Sequence, residues 1–221
     1  MKLFDEVHSF MWHGVWENNA NMYYLGAPFH MLIDPGMKYL FDVQTEKLAE
    51  DAVKIENIRY VVSTHCHPDH LEASCLFSNK DVQVGAHVDE IEFYKNNREA
   101  LSKTLKRELE EVTFNMNITE SSLKVEGSEL QFIHTPGHTP GSLSIYWPDK
   151  KALVCGDVLF DHSFGRKNLP GTNHEKLYES INKILALDIE YLMSGHQAVI
   201  IGKSNVQARL EQSAEDFAMF I

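Results

Sequence analysis

Several things are scarce in this 221-residue chain, and each scarcity excludes something. Only three cysteines occur, Cys66, Cys75 and Cys155. An odd number with no Cys-x-x-Cys spacing encodes neither a disulfide framework nor a thiolate zinc ribbon. No apolar run approaches the ~20 residues that a membrane-spanning helix needs. Asp5 and Glu6 interrupt the stretch where a signal peptide would be continuously apolar, so a reduced, cytoplasmic location is expected. Positive charge is short as well: 20 Lys and Arg face 32 Asp and Glu, a formal net charge of −12. That balance repels phosphodiester backbones and anionic membranes. Neither nucleic acid nor a membrane is therefore expected as a partner. Repeats and low-complexity tracts are lacking, and the apolar share of 43% is that of an ordinary globular chain. A chain of this length buries about 70% of its unfolded surface without covalent staples, and one domain over 1–221 is expected.

What is plentiful is histidine, at twelve residues. Imidazole is the commonest metal-binding side chain, so the positions of these histidines decide the reading.

Short aromatic and aliphatic runs at Ala20–Leu25 and His30–Ile33 predict strands, the second closed by the turn Asp34-Pro35-Gly36. Leu48, Ala52, Val53 and Ile55 predict a helix over Thr45–Ile55 with Thr45 as its N-cap. Ile58–Thr64 reads as a buried strand, the segment from Pro68 as a helix, and Val82–Ala86 as a strand. Residues 88–111 form a charged helical insertion with Tyr94, Leu101, Leu105 and Leu109 along one side; a lid and a homodimer contact are the two roles open to it. Strands follow at Leu130–His134, Ser142–Trp147 and Ala152–Cys155, the last two joined as a hairpin by Pro148-Asp149-Lys150. A helix over His174–Leu187, a strand at Tyr191–Met193 and a helix over Ser204–Phe220 complete the chain. Strands then helix, twice over, predict an α+β fold of two sheets with helices outside.

Five segments place a histidine or carboxylate just after a predicted strand, where loops converge on a sheet rim. They are Thr64-His65-Cys66-His67-Pro68-Asp69-His70, the loop around His138 in TPGHTPGS, Gly156-Asp157, Gly195-His196 and, more weakly, Asp34. Three imidazoles and a carboxylate within six residues are poor core material, because each buried polar group needs a partner. Metal ions are the natural partners. Gly137 and Gly141 allow tight backbone geometry around His138, and the two prolines stiffen it. Asp34 is read as fixing a ligand loop through hydrogen bonds. Cys66, Cys155 and His134 are read as packing or structural residues.

The ordered set His65-x-His67-x-Asp69-His70, His138, Asp157 and His196 resembles the metallo-β-lactamase-fold hydrolase superfamily, over about residues 19–196. TPGHTPGS and the GDxLF pattern at Gly156–Phe160 look like its glyoxalase II-like branch. The resemblance implies a four-layer αββα sandwich of two mixed β-sheets flanked by helices. It also implies two divalent metal ions, zinc first with iron or manganese as alternatives. One ion would take His65, His67 and His138, the other Asp69, His70 and His196, with Asp157 bridging. The implied reaction is attack of a metal-bridging hydroxide, oriented by Asp69, on a thioester or other activated ester. Lactones and phosphodiesters are the next substrate classes. His162, Arg166 and Lys167, in the loop after the bridging aspartate, are the implied substrate contacts. The motif Thr64–His70 also resembles that of persulfide dioxygenases, which would hold a single iron on His65, His138 and Asp157. Two departures from the branch stand out. Gln197 occupies the place of the second glycine in the usual GHG, and Asn168 replaces the aspartate of a GRxD loop. The helical glutathione-binding domain of full-length glyoxalase II enzymes has no counterpart in the 25 or so residues after His196, so a single-domain type is expected.

Overall fold

A computed structural model describes residues 2–14, 16–78, 81–161 and 170–218. The first sheet contains β1 (Lys2–Phe4), β2 (Val7–Phe10), β3 (Met22–Leu25), β4 (Met31–Ile33), β5 (Tyr60–Val62), β6 (Gln83–His87) and β7 (Met116–Ile118), in that spatial order. β1 to β4 run antiparallel, while β4, β5 and β6 are parallel, so the sheet is mixed. Every residue of β3 and β4 is buried. Covered on both faces, such strands read as continuous apolar runs with no alternation. The strands β1 and β2 went unpredicted because Glu6 and His8 break any apolar run at the N-terminus.

The helices of this part are α1 (Phe41–Glu50), α2 (Pro68–Leu71) and α3 (Val88–Leu105). α1 begins four residues before the expected Thr45 and ends at Glu50. Thr45 is no N-cap: its hydroxyl donates back to the Asp42 carbonyl at 2.7 Å, inside the helix. Ala52, Val53 and Ile55 lie beyond the helix end; Ala52 has φ 58. The stripe expected along 88–111 also differs. Ile91 and Tyr94 are buried on α3, but Leu105 is 41% exposed, and Leu109 is buried beyond the helix end.

The second sheet has the order β13-β12-β11-β10-β9-β8, made of β8 (Ser121–Val125), β9 (Ser128–His134), β10 (Leu143–Trp147), β11 (Ala152–Gly156), β12 (Tyr191–Ser194) and β13 (Ile200–Ile201). The predicted hairpin of β10 and β11 forms, with Ile145 opposite Val154 and Trp147 opposite Ala152. β11 and β12 pair in parallel, which makes this sheet mixed too. At its edge, β8 keeps Lys124 exposed, a charge that discourages further strand addition. α4 (His174–Leu185) buries Leu177, Ser180, Ile181 and Ile184, the i, i+3, i+4, i+7 spacing of one helix face. The Asn173 side chain caps it by accepting from Lys176 N at 3.0 Å. α5 (Lys203–Ala218) buries Val206 and Leu210 in the same core as α4.

Two units separate by internal contacts, Met1–Asn117 and Ile118–Ile221. Each has its own sheet and its own apolar core. Among the described residues no helix is long and apolar enough to cross a membrane.

Candidate metal centre

In the first unit the candidate ligands follow β5. The chain bends at Thr64-His65, and His67 sits as an extended N-cap before Pro68 at the first position of α2, where a missing N–H costs nothing. Asp34 organises the segment. It holds φ 53 at the end of β4 and is fully buried. Its Oδ1 accepts from Thr64 N at 2.7 Å, and its Oδ2 accepts from Thr64 Oγ1 at 2.7 Å and from His70 Nδ1 at 2.8 Å.

These bonds set the state of two imidazoles. His70 Nδ1 carries the proton given to Asp34, so the Nε2 lone pair is the one presented to the cluster. Thr64 has a single hydroxyl proton, and it goes to Asp34. Its oxygen therefore accepts from His65 Nδ1, 3.2 Å away, which leaves His65 Nε2 with a lone pair as well. The rings of His65 and His70 have centroids 4.0 Å apart, and His65 Nε2 lies 2.9 Å from His67 Nδ1. Two ring nitrogens this close need a shared proton or a shared cation. Asp69 lies beside them, 8% exposed, with a ligand-type oxygen within 4.8 Å of that of His70. It accepts from Asn18 Nδ2 at 2.5 Å.

Cys66, between the two histidines, points into the apolar core. Burial pushes its thiol well up, with Glu90 and Asp34 adding to the shift. It stays a protonated packing residue, as expected from its place between two candidate ligands. Its backbone N–H is held by Glu90 Oε1 at 2.8 Å.

In the second unit His138 sits in the loop between β9 and β10. Thr135 N bonds Ser142 O at 2.9 Å, and Thr139 Oγ1 and Ser142 Oγ pair at 2.7 Å. Gly137 holds φ 135, and a Cβ there would come within 2.4 Å of the Leu177 backbone on α4. Only glycine permits the loop to lie this close to the helix. Asp157 follows β11, and Gly195 N bonds Gly156 O at 2.8 Å, tying the loop of His196 to that of Asp157. As a result Asp157 Oδ2 lies 3.5 Å from His138 Nε2 and 3.7 Å from His196 Nε2. His138 and Asp157 are buried, and the Phe160 ring meets His196 edge-on at 5.7 Å. Gln197 takes φ 66, so the turn after the last histidine keeps a conformation suited to the glycine it replaces. Cys155 packs behind, its thiol raised by burial to about 12.

Each unit thus gathers its own share of the expected ligands, four in the first and three in the second. The donor chemistry suits divalent metal: imidazole lone pairs fixed by hydrogen bonds behind them, with carboxylates of either oxygen-donor mode. His162, Arg166 and Lys167 lie outside the described residues. Asn18 and Glu90 were not foreseen. Asn18 stands in an aperiodic polar run, Glu17-Asn18-Asn19, and Glu90 among the charges of α3, where neither carries a local signal.

Residues 15–196 match the metallo-β-lactamase superfamily. The chain belongs to it. A protein of Methanocaldococcus jannaschii named probable metallo-hydrolase is 31% identical over 186 residues, 80% of this chain and 87% of the relative. The hydroxyacylglutathione hydrolase GloC of Haemophilus influenzae is 27% identical over 194 residues, 82% of each. A chain solved in a di-iron-bound form superposes with a TM-score of 0.69 at 25% identity, over 86% of this chain and 92% of that one. The two mixed sheets with flanking helices are those of the metallo-β-lactamase fold, and the superfamily match takes in both ligand clusters, ending at His196.

Proposed function

We propose that the two clusters are halves of one dinuclear metal centre, and that the protein hydrolyses a thioester or comparable activated ester of a small molecule. The class, a metal-dependent hydrolase, follows from the superfamily and from relatives that carry hydrolase names. One ion would be held by His65, His67 and His138, and the other by Asp69, His70 and His196, with Asp157 shared. Bound metal lowers the pKa of a water toward ~7 and polarises the scissile carbonyl. Zinc is the first expectation. Iron and manganese suit the same His and Asp donors, and the di-iron neighbour supports iron.

The chain's own residues supply the rest. Asp34 and Thr64 keep the Nε2 lone pairs of His65 and His70 presented, so no tautomer has to change when a cation arrives. This is the observation that carries the reading: two neighbouring imidazoles are fixed by one buried carboxylate in the ligand-ready form. Asn18 fixes the rotamer of Asp69, and Asp69 would orient the attacking hydroxide. Phe160 limits the rotation of the more exposed His196. The thioester is preferred over lactones and phosphodiesters because a relative matched over 82% of both chains is named hydroxyacylglutathione hydrolase.

The test is turnover of a panel of S-acyl thiols, lactones, aryl phosphodiesters and persulfides by metal-loaded enzyme. S-acyl thiols are expected to give the highest kcat/KM, with His67→Ala and Asp157→Ala lowering it by ~10³-fold or more. Faster turnover of another ester class would overturn the substrate assignment. Oxygen uptake with persulfide at one iron per chain would replace hydrolysis with the dioxygenase reading.

A further inference from the structure

The 88–111 insertion touches the ligand segment at two widely spaced points, one on α3 and one just beyond it. In the first turn of α3 Glu90, fully buried, accepts the Cys66 N–H at 2.8 Å, between His65 and His67. Beyond its last turn, where Lys106 reverses the chain at φ 53, Arg107 grips Glu72, two residues after His70. Arg107 Nη2 reaches Glu72 Oε2 at 3.0 Å and Nη1 pairs with Oε1. Glu72 is 2% exposed and also accepts Lys38 N at 3.2 Å. The return that carries Arg107 is itself tied to α3, by Arg98 Nη1 to Leu109 O at 3.0 Å and Tyr94 OH to Glu110 O at 2.7 Å.

Both contacts use buried carboxylates, which are costly to desolvate and are kept where they hold a specific group. The ligand loop leaves the β5 ladder before Cys66, so its backbone donor needs an acceptor from elsewhere in the fold, and the Glu90 carboxylate supplies it. We infer that Glu90 and Arg107 are positioning residues that splint residues 65–72, setting the spacing of His65, His67, Asp69 and His70 before any metal binds. The helical insertion is then a brace for the site. This rests on the metal reading of the cluster, and acts through the ligands, not on the substrate.

The test has one arm that needs no metal. Amide exchange at Cys66 is measured in the metal-free full chain, and zinc release to an excess of chelator in the loaded protein. Wild type and Glu90→Gln, which keeps an acceptor oxygen, are expected to agree within about threefold in both. Glu90→Ala should raise Cys66 exchange by ~100-fold, and Glu90→Ala and Arg107→Ala should each speed zinc release by ~10-fold or more. Ile181→Val, on the buried face of α4 in the second unit, controls for lost stability alone. If Glu90→Ala fails to fold, Arg107→Ala release and the Glu90→Gln comparison still decide. Release no faster than in the Ile181→Val control, or Cys66 exchange unchanged in Glu90→Ala, overturns the inference. If wild type binds no metal, the hydrolase reading fails, while the exchange arm still decides whether α3 splints the loop.

Discussion

His70 donates through Nδ1 to Oδ2 of Asp34 across 2.8 Å, with both side chains fully buried. An imidazole bound to a carboxylate in this way is a stronger ligand through its other nitrogen, and its ring cannot swing away. Asp34→Ala should therefore weaken metal binding by ~10–100-fold while the apolar core stays intact. Competition against a chromophoric chelator measures it. Unchanged affinity would mean that the lone pairs need no fixing.

Gly137 is held by geometry, not by chemistry. With φ 135 and the Leu177 backbone 2.4 Å from where a Cβ would stand, Gly137→Ala must push the His138 loop off α4. A loss of about 2 kcal/mol or more is expected, read by urea unfolding. A variant as stable as wild type would show that loop and helix can part freely.

The Asp188 carboxylate is held down to about 2, first by its hydrogen bond from Lys151 and then by that from Lys203; both ammonium groups lie at 2.7 Å. Its folded value is below the ordinary 3.8, so its contribution is complete above about pH 4 and is lost as pH falls toward 2. Asp188→Asn removes the contribution at every pH. The difference in urea midpoint between wild type and variant should be small and constant near neutrality, then shrink between pH 4 and 2. A difference that grew on acidification would contradict the assignment.

Much of this architecture was legible in the sequence, for physical reasons. The His65–His70 segment and the TPGHTPGS loop concentrate polar side chains where a core would reject them, so both stand out locally as a candidate site. β10 and β11 were legible because apolar runs flank a Pro-Asp turn. α1 was misplaced because Leu48, Val53 and Ile55 are all apolar and close in sequence, yet only Leu48 is on the helix; the others pack from the loop after it. Asn18, Glu90 and Arg107 could not be found, since their partners Asp69, Cys66 and Glu72 lie 51, 24 and 35 residues away. Gln197 was legible as a departure, but not as a residue that keeps the left-handed turn.

Cysteine chemistry offers a check on the packing behind both clusters. Cys66 and Cys155 are buried, with thiols raised by burial, Cys155 to about 12. Cys75 is only partly buried. Native protein at pH 8 should give no more than one alkylated cysteine, Cys75, and unfolded protein three. Mass spectrometry reads the sites; rapid labelling of Cys66 in the native state would place it outside the core.

Seven side chains from the two clusters are proposed to hold two metal ions together. Elemental analysis of protein purified without chelators, then reloaded with zinc, tests this most directly, with Asp157→Ala measured beside wild type. Two ions per chain in wild type, and a loss of metal in Asp157→Ala, are predicted. A single ion in wild type under saturating metal, or full loading of the Asp157→Ala variant, would contradict it.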